Sequence, residues 1–161
     1  MADLSPVTPP LHVVLVAPQI PPNTGNVART CAVTGCRLHL VGPLGFSLSD
    51  KELRRAGLDY WDGVEVEVHE DWPAFDALHV RGRPERLHLF TARAGQTLFE
   101  RRFSPGDVLV LGQEQLGLPP ALVAAWPDRC VSIPMLAGQR SLNLAVAAGV
   151  GVYAAIRSLS V

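Results

Sequence analysis

The sequence predicts an α/β fold, a mostly parallel sheet with helices on both faces. Three observations carry that prediction. Short runs rich in β-branched residues and leucine recur along the chain, segments with helix start and stop signals separate them, and several runs are apolar without alternation. Strands buried on both faces of a parallel sheet read that way. Length and composition agree, since 161 residues with 48% hydrophobic and 18% charged side chains can bury one core. The chain therefore reads as one domain over 1–161, with 1–10 as a flexible N-terminal extension.

Taken in order, 11–17 (LHVVLVA) is a continuous apolar strand. After Pro21 and Pro22 a helix is expected over 23–34, with Asn23 as its N-cap and Gly35 as its stop. The pattern repeats with a strand at 37–41 (RLHLV) and a helix over 49–56 opened by a capping box from Ser49 to Glu52. A short strand at 63–68, a short amphipathic helix at 71–79 and a core strand at 86–91 (RLHLFT) follow. The segment 108–111 (VLVL) is a further strand, 119–125 a helix with proline in its first turn, and 130–133 a last strand. A long helix over 141–159, with Ser141 as a possible N-cap, closes the chain.

Charge and motifs narrow the function. Fourteen basic and fifteen acidic residues leave a net charge of −1, so any surface for nucleic acid must be local. Lys51 is the single lysine, and arginine, suited to bidentate contacts with phosphate or carboxylate, supplies the other basic side chains. Lys51, Arg54 and Arg55 form one basic cluster and Arg81, Arg83 and Arg86 another. Either is a phosphate-neutralising surface or a solvated face. Tyr60 and Trp61 are either base-stacking groups or a half-buried aromatic pair. Cys31, Cys36 and Cys130 lack paired metal spacing and form no disulfide framework, so a reducing cytoplasm is expected. His39, His69, His79 and His88 fall within strand or helix patterns and read as structural; no cluster with ligand spacing is present and no metal is expected. No apolar run spans a bilayer without interruption, so no membrane partner is expected.

In an open α/β sheet the loops after the strands hold the ligand. The first, PQIPPNTGN, contains neither GxGxxG nor GxxxxGK[ST], which argues against Rossmann-type dinucleotide binding and a phosphate-binding P-loop. Three later loops are glycine-bearing and polar: 91–95 (TARAG), 112–119 (GQEQLGLP) and 134–143 (PMLAGQRSLN). Glycines there let backbone approach a ligand closely.

Read together, IPPNTGNVARTCAVTG, RLHLVGPLGFSLSDKELRRAGLDYW, LGQEQLGLP and IPMLAGQRSLNLAVA resemble the SPOUT-class RNA 2′-O-ribose methyltransferases. The likeness is greatest to the YibK/TrmL-type branch, the tRNA (cytidine(34)-2′-O)-methyltransferases that act on the wobble cytidine or uridine. It spans about 11–159, with three family motifs in order. The resemblance implies a C-terminal trefoil knot, S-adenosyl-L-methionine (AdoMet) held in that knot, a homodimer, and a tRNA anticodon stem-loop as substrate. By the motif match, Asn23, Arg29, Glu114, Ser141 and Asn143 form the reacting set. Arg29 would lie beside the ribose 2′-hydroxyl, either as general base or as the group that orients the hydroxyl and stabilises the developing alkoxide. The match places Phe90, Gly112, Ile133 and Ser141 at the cofactor, with Leu118 and Leu136 as further contacts. The apolar face of Leu142, Val146, Val150, Tyr153 and Ile156 suits core or dimer packing.

The family's second motif usually reads G-P-E-T-R-G-L-P, whereas Gln113, Gln115 and Leu116 stand here in place of its proline, threonine and arginine. The third usually continues with Ser-Asn, where Ala145 and Val146 follow in this chain. Alternatives that keep the fold are a 2′-O-methyltransferase for another tRNA or rRNA position and a non-catalytic AdoMet- or RNA-binding dimer.

Overall fold

The computed structural model describes residues 3–49, 51, 55 and 63–160. Glu52, Arg54, Tyr60 and Trp61 fall outside the described residues, and with them the predicted capping box, part of the first basic cluster and the aromatic pair.

Six parallel strands form one sheet: β1 (His12–Val16), β2 (Arg37–Val41), β3 (Val66–His69), β4 (Leu87–Phe90), β5 (Val108–Leu111) and β6 (Cys130–Val131), in the order β3-β2-β1-β5-β4-β6. The central strands β1, β4 and β5 are buried along their whole length, as their unbroken apolar runs require. Alternate residues serve opposite faces. Val13 and Leu15 of β1, with Leu109 and Leu111 of β5, pack against α1 (Pro21–Thr34) and the last helix, α4 (Leu144–Leu159). Val14 and Val16, with Leu87 and Leu89, pack on the other side against Phe75 of α2 (Trp72–Phe75) and Leu122 of α3 (Pro120–Ala125). Each fully buried leucine contributes about 1.5–3 kcal/mol. Helices cover both faces, as the sequence predicts.

The differences from prediction lie at element ends. Helix α1 begins at Pro21 with Ile20 in the N-cap position, so the two prolines occupy its first turn and Asn23 lies inside the helix. Proline is suited to that place because its fixed φ is helical and its missing N–H has no partner there anyway. At the other end Gly35 adopts φ 73° and its N–H bonds the Cys31 carbonyl, the left-handed stop that glycine allows. Helix α4 is capped by Asn143, whose Oδ1 accepts from Ala145 N at 2.8 Å and Val146 N at 3.3 Å, so Ser141 is not the cap. The last strand has two residues rather than four; Ser132 beyond it makes only an isolated bridge with Thr97. The segment 71–79 starts as a helix capped by Asp71, whose Oδ1 accepts from Ala74 N, and then widens into a π-turn over Asp76–Val80. In the N-terminal stretch, Val7 packs against the core.

Four of the histidines are buried, His88 in one setting and His12, His39 and His69 in another. The first is a relay under β4: Arg101 Nε donates to His88 Nδ1 at 2.9 Å, so the His88 ring proton sits on Nε2 and is donated to Asp107 Oδ2 at 2.7 Å. Asp107 Oδ2 also accepts from Ser104 N. Burial lowers the His88 pKa from its ordinary 6.5, aided by the Arg101 and Arg129 charges and opposed by Asp107. The folded chain thus refuses a proton that the unfolded chain takes up below pH 6.5, so this contribution is complete above that pH and is lost as pH falls through it. Between about pH 7.5 and about pH 5.5 the wild type should therefore lose more unfolding free energy than His88→Gln. Urea denaturation at both pH values measures this; equal losses would refute a neutral His88.

The second setting joins His12, His39 and His69 with the half-buried His79, a cluster that no spacing along the chain reveals. Register explains it. His39 lies beside Glu67 across the β2–β3 pair, and His69, two residues on, shares the face of Glu67. His12 sits one strand over on the same face, and the π-turn lowers His79 onto the group. Burial first, then the neighbouring histidine and arginine side chains, push His39 down to about 2 and His12 to about 4, so both rings are neutral.

Candidate functional site

At the carboxyl ends of β4, β5 and β6, where an open α/β sheet offers its ligand crevice, the loops line a cavity of about 310 Å³. Phe90, Leu111, Leu118, Ile133 and Leu144 supply apolar walls, and Gly112, Glu114, Arg93 and Ser141 supply polar edge. Gly112 is dictated by space. A Cβ there would lie 2.0 Å from the Gly117 carbonyl carbon and 2.1 Å from Leu118 N, because the loop after β5 folds back and pairs Gln113 with Gly117 in both directions. Gly151 of α4 plays the complementary part by letting the Phe90 ring lie against the helix; a Cβ would meet Phe90 Cζ at 2.8 Å.

Glu114 leaves this loop and reaches the start of α1. Its Oε2 accepts from Gln19 N at 2.9 Å, and its Oε1 accepts from Ile20 N at 3.0 Å and from Asn23 Nδ2 at 3.3 Å. A carboxylate at a helix N-terminus satisfies donors the helix leaves unpaired and meets the positive end of its dipole. Ala17, at φ 52°, ends β1 with the turn that precedes those two N–H groups, a conformation costing about 1–2 kcal/mol outside glycine. The chain of contacts continues: Asn143 Nδ2 donates to Asn23 Oδ1 at 2.9 Å. Residues 91 and 120 positions apart are thereby joined through Asn23, which is buried.

Of the predicted cofactor residues, Phe90, Gly112, Leu118, Ile133 and Ser141 line the cavity, while Leu136 lies off it with 81% of its surface exposed. Of the predicted reacting set, Glu114 and Ser141 line it, Asn23 and Asn143 bond to each other behind it, and Arg29 is exposed on α1. Arg93 and Met135 also line the cavity, unselected by sequence reading. Their position after β4 and β6 was the available signal. The second arginine cluster takes no part: it precedes β4, at the sheet end opposite the cavity. There Arg86 bonds the His79 and Gly106 carbonyls and Arg83 pairs with Glu85 at 3.2 Å. Arg81 and Arg83 are exposed, and of the three only Arg86 is committed to backbone carbonyls.

The family model of the SpoU rRNA Methylase family matches residues 10–153. The chain belongs to that family. Among SpoU relatives, a protein of Burkholderia pseudomallei (strain 1106a) named tRNA (cytidine(34)-2′-O)-methyltransferase is 51% identical over 147 residues, covering 91% of this chain and 94% of its own. One of the same name from Yersinia pestis is 44% identical, covering 92% and 94%. A solved structure described as giving structural insights into the 2-OH methylation of C/U34 on tRNA superposes with TM-score 0.85 at 48% identity, covering 93% of this chain and 96% of that one. The SpoU methyltransferase AviRb of Streptomyces viridochromogenes, solved with the cofactor AdoMet, has TM-score 0.79 at 25% identity over 94% of this chain and 58% of its own.

Among the described residues no helix is long and apolar enough to cross a membrane.

Proposed function

We propose that this SpoU-family chain is a cytoplasmic, single-domain tRNA 2′-O-ribose methyltransferase that moves a methyl group from AdoMet to the ribose of the wobble nucleotide, cytidine or uridine 34. The observation that carries the reading is the Glu114–Asn23–Asn143 network, which ties the three motif-bearing segments together beside a cavity of cofactor-like lining. Near-complete coverage of the tRNA (cytidine(34)-2′-O)-methyltransferases supports the substrate class.

The cavity fits AdoMet chemically. Its apolar walls suit a purine, exposed backbone around Gly112 suits the purine edge, and Glu114 complements a cation. When bound, AdoMet would supply an electrophilic methyl carbon on a sulfonium, open to in-line attack by the ribose oxygen with the neutral thioether as leaving group. The chain's own residues align and stabilise. Glu114 holds the start of α1 against the cavity loop, so the helix that carries Arg29 is positioned from the cofactor side. A guanidinium keeps its proton in proteins, so Arg29 is assigned to donate hydrogen bonds to the ribose or phosphate oxygens and stabilise the developing alkoxide. The 2′-hydroxyl proton then leaves to phosphate or water, and alignment provides much of the rate.

The same reading makes the chain a homodimer. Val146, Val150 and Tyr153 of α4 recur at helical spacing and are 51%, 37% and 49% exposed, while Ile156 turns inward to the core. An apolar stripe of this kind suits the self-complementary face of a two-fold pair. The resemblance also implies a knotted C-terminal segment. Support comes from Ser132, whose N–H bonds the Gln96 carbonyl while its own carbonyl accepts from Leu98 N, binding the last loop to the 96–98 segment before α4 returns to Phe90.

The deciding experiment is transfer of a labelled methyl group from AdoMet to unmodified total tRNA, followed by nuclease mapping of the labelled nucleotide. Label on the ribose of nucleotide 34 is expected. Label at another position would overturn the substrate assignment, and AdoMet binding without transfer to any tRNA would overturn the catalytic one.

A further inference from the structure

On the sheet face away from α1 and α4, one ligand atom from each of four side chains, His39, Glu67, His69 and His79, lies within 4.8 Å of the other three. We propose that these four residues form a structural site for one divalent transition-metal ion of the zinc type, with His12 as the outer support of His39. The site is separate from the cavity, lying across β2, β3 and the π-turn.

The separations fit the coordination. Four donors at zinc-like distances of about 2.0–2.1 Å in a tetrahedron stand about 3.3 Å apart. His39 Nδ1 lies 3.1 Å from His69 Nε2, Glu67 Oε2 lies 2.8 Å from His79 Nε2, and the same oxygen lies 3.7 Å from His69 Nε2 and 3.9 Å from His39 Nδ1. Shifts of up to about 0.6 Å bring these four separations to the tetrahedral value, and the two remaining separations, from His79 to His39 and to His69, are no more than 4.8 Å. Three imidazoles and a carboxylate are a borderline donor set, favouring zinc or cobalt over magnesium or calcium.

The surroundings also serve a metal. His12 Nδ1 lies 2.8 Å from His39 Nε2. With the His39 proton on Nε2 and donated to His12, Nδ1 is left bare toward the other three donors, the outer hydrogen bond that ligating histidines commonly have. His69 and His79 become ligands by moving their ring proton to Nδ1, with no net proton released. The Phe75 ring lies about 5.2 Å from each of His39, His69 and His79, closing one side with an apolar wall. Glu67 is 43% exposed and gives the ion its route of entry. The π-turn itself is informative: its wider winding sets His79 over the strands, and such turns concentrate at functional positions. Four protein ligands leave no open position, so the ion would clamp the edge strand β3 to β2 and the turn without doing chemistry.

The test uses the untagged, full-length chain after EDTA treatment and gel filtration. Zinc chloride titration by calorimetry should give one ion per chain and a raised melting temperature. Cobalt chloride should give visible absorption of the intense tetrahedral type, bleached by an equivalent of zinc. Glu67→Gln and His79→Gln should each weaken zinc affinity about 100-fold, and His12→Asn about 10-fold, with the metal-free circular dichroism unchanged. Should His79→Gln fail to fold, the exposed Glu67→Gln carries the test. Absence of stoichiometric binding, an octahedral cobalt spectrum, or affinity indifferent to Glu67→Gln would each overturn the site.

Discussion

Arg29→Ala is expected to lower methyl transfer to tRNA by about 10²–10³-fold, the usual cost of removing one donor from a developing oxyanion. The loss should fall on kcat. Arg29 is exposed on α1 and does not line the cavity, so AdoMet affinity should be unchanged and stability should move by less than about 1 kcal/mol. Arg29→Lys keeps the charge but not the planar fork, and should recover only part of the rate. Single-turnover transfer to tRNA, with calorimetric AdoMet binding on the same preparations, separates the two effects. A variant that transfers at the wild-type rate, or that loses cofactor affinity in parallel with rate, would remove Arg29 from the role assigned to it.

Gly112→Ala is expected to abolish measurable AdoMet binding and to cost about 3 kcal/mol of stability. The new methyl would sit 2.0, 2.1 and 2.3 Å from three backbone atoms of Gly117 and Leu118, and backbone cannot step aside as a side-chain tip can. Relief requires breaking the paired Gln113–Gly117 hydrogen bonds and opening the loop. Glu114 and Leu118 move with it, so the cavity wall and the anchor on Gln19, Ile20 and Asn23 are lost together. Gly95→Ala is the matched control: nothing lies within 4 Å of its added Cβ, and AdoMet binding should survive. Calorimetry and urea denaturation decide it, and cofactor binding in Gly112→Ala within tenfold of wild type would show that the loop has freedom the structure does not indicate.

Particular residues show how much was legible beforehand. The runs VVLV and VLVL read as strands because burial on both faces leaves no polar position, and both are buried throughout. Gly35 read as a helix stop because only a residue without Cβ takes its left-handed turn at no cost. Local pattern places caps at Asn23 and Ser141, and the structure places Ile20 and Asn143 there instead, for one reason. A cap is chosen by competition among neighbouring polar groups, and at α1 the capping carboxylate comes from Glu114, far along the chain. Asn143, two residues beyond Ser141, takes the cap of α4 because its side-chain Oδ1 reaches forward to accept from Ala145 N and Val146 N while its Nδ2 still donates to Asn23.

By itself the sequence determined the α/β class, the order of strands and helices, the Gly35 stop of α1 and, through three ordered motifs, the family. Those are properties of local pattern, where hydrophobic period, turn chemistry and motif spacing lie within a few residues. Only the tertiary structure decided which distant polar groups meet. Parallel pairing of β2 with β3 set His39 beside Glu67, and loops converging at the sheet's carboxyl end set Glu114 against Asn23 and Asn143. The same packing sent Arg86 to backbone carbonyls at the opposite end. Such encounters depend on register and strand order, which one chain's local pattern leaves open and long-range packing settles.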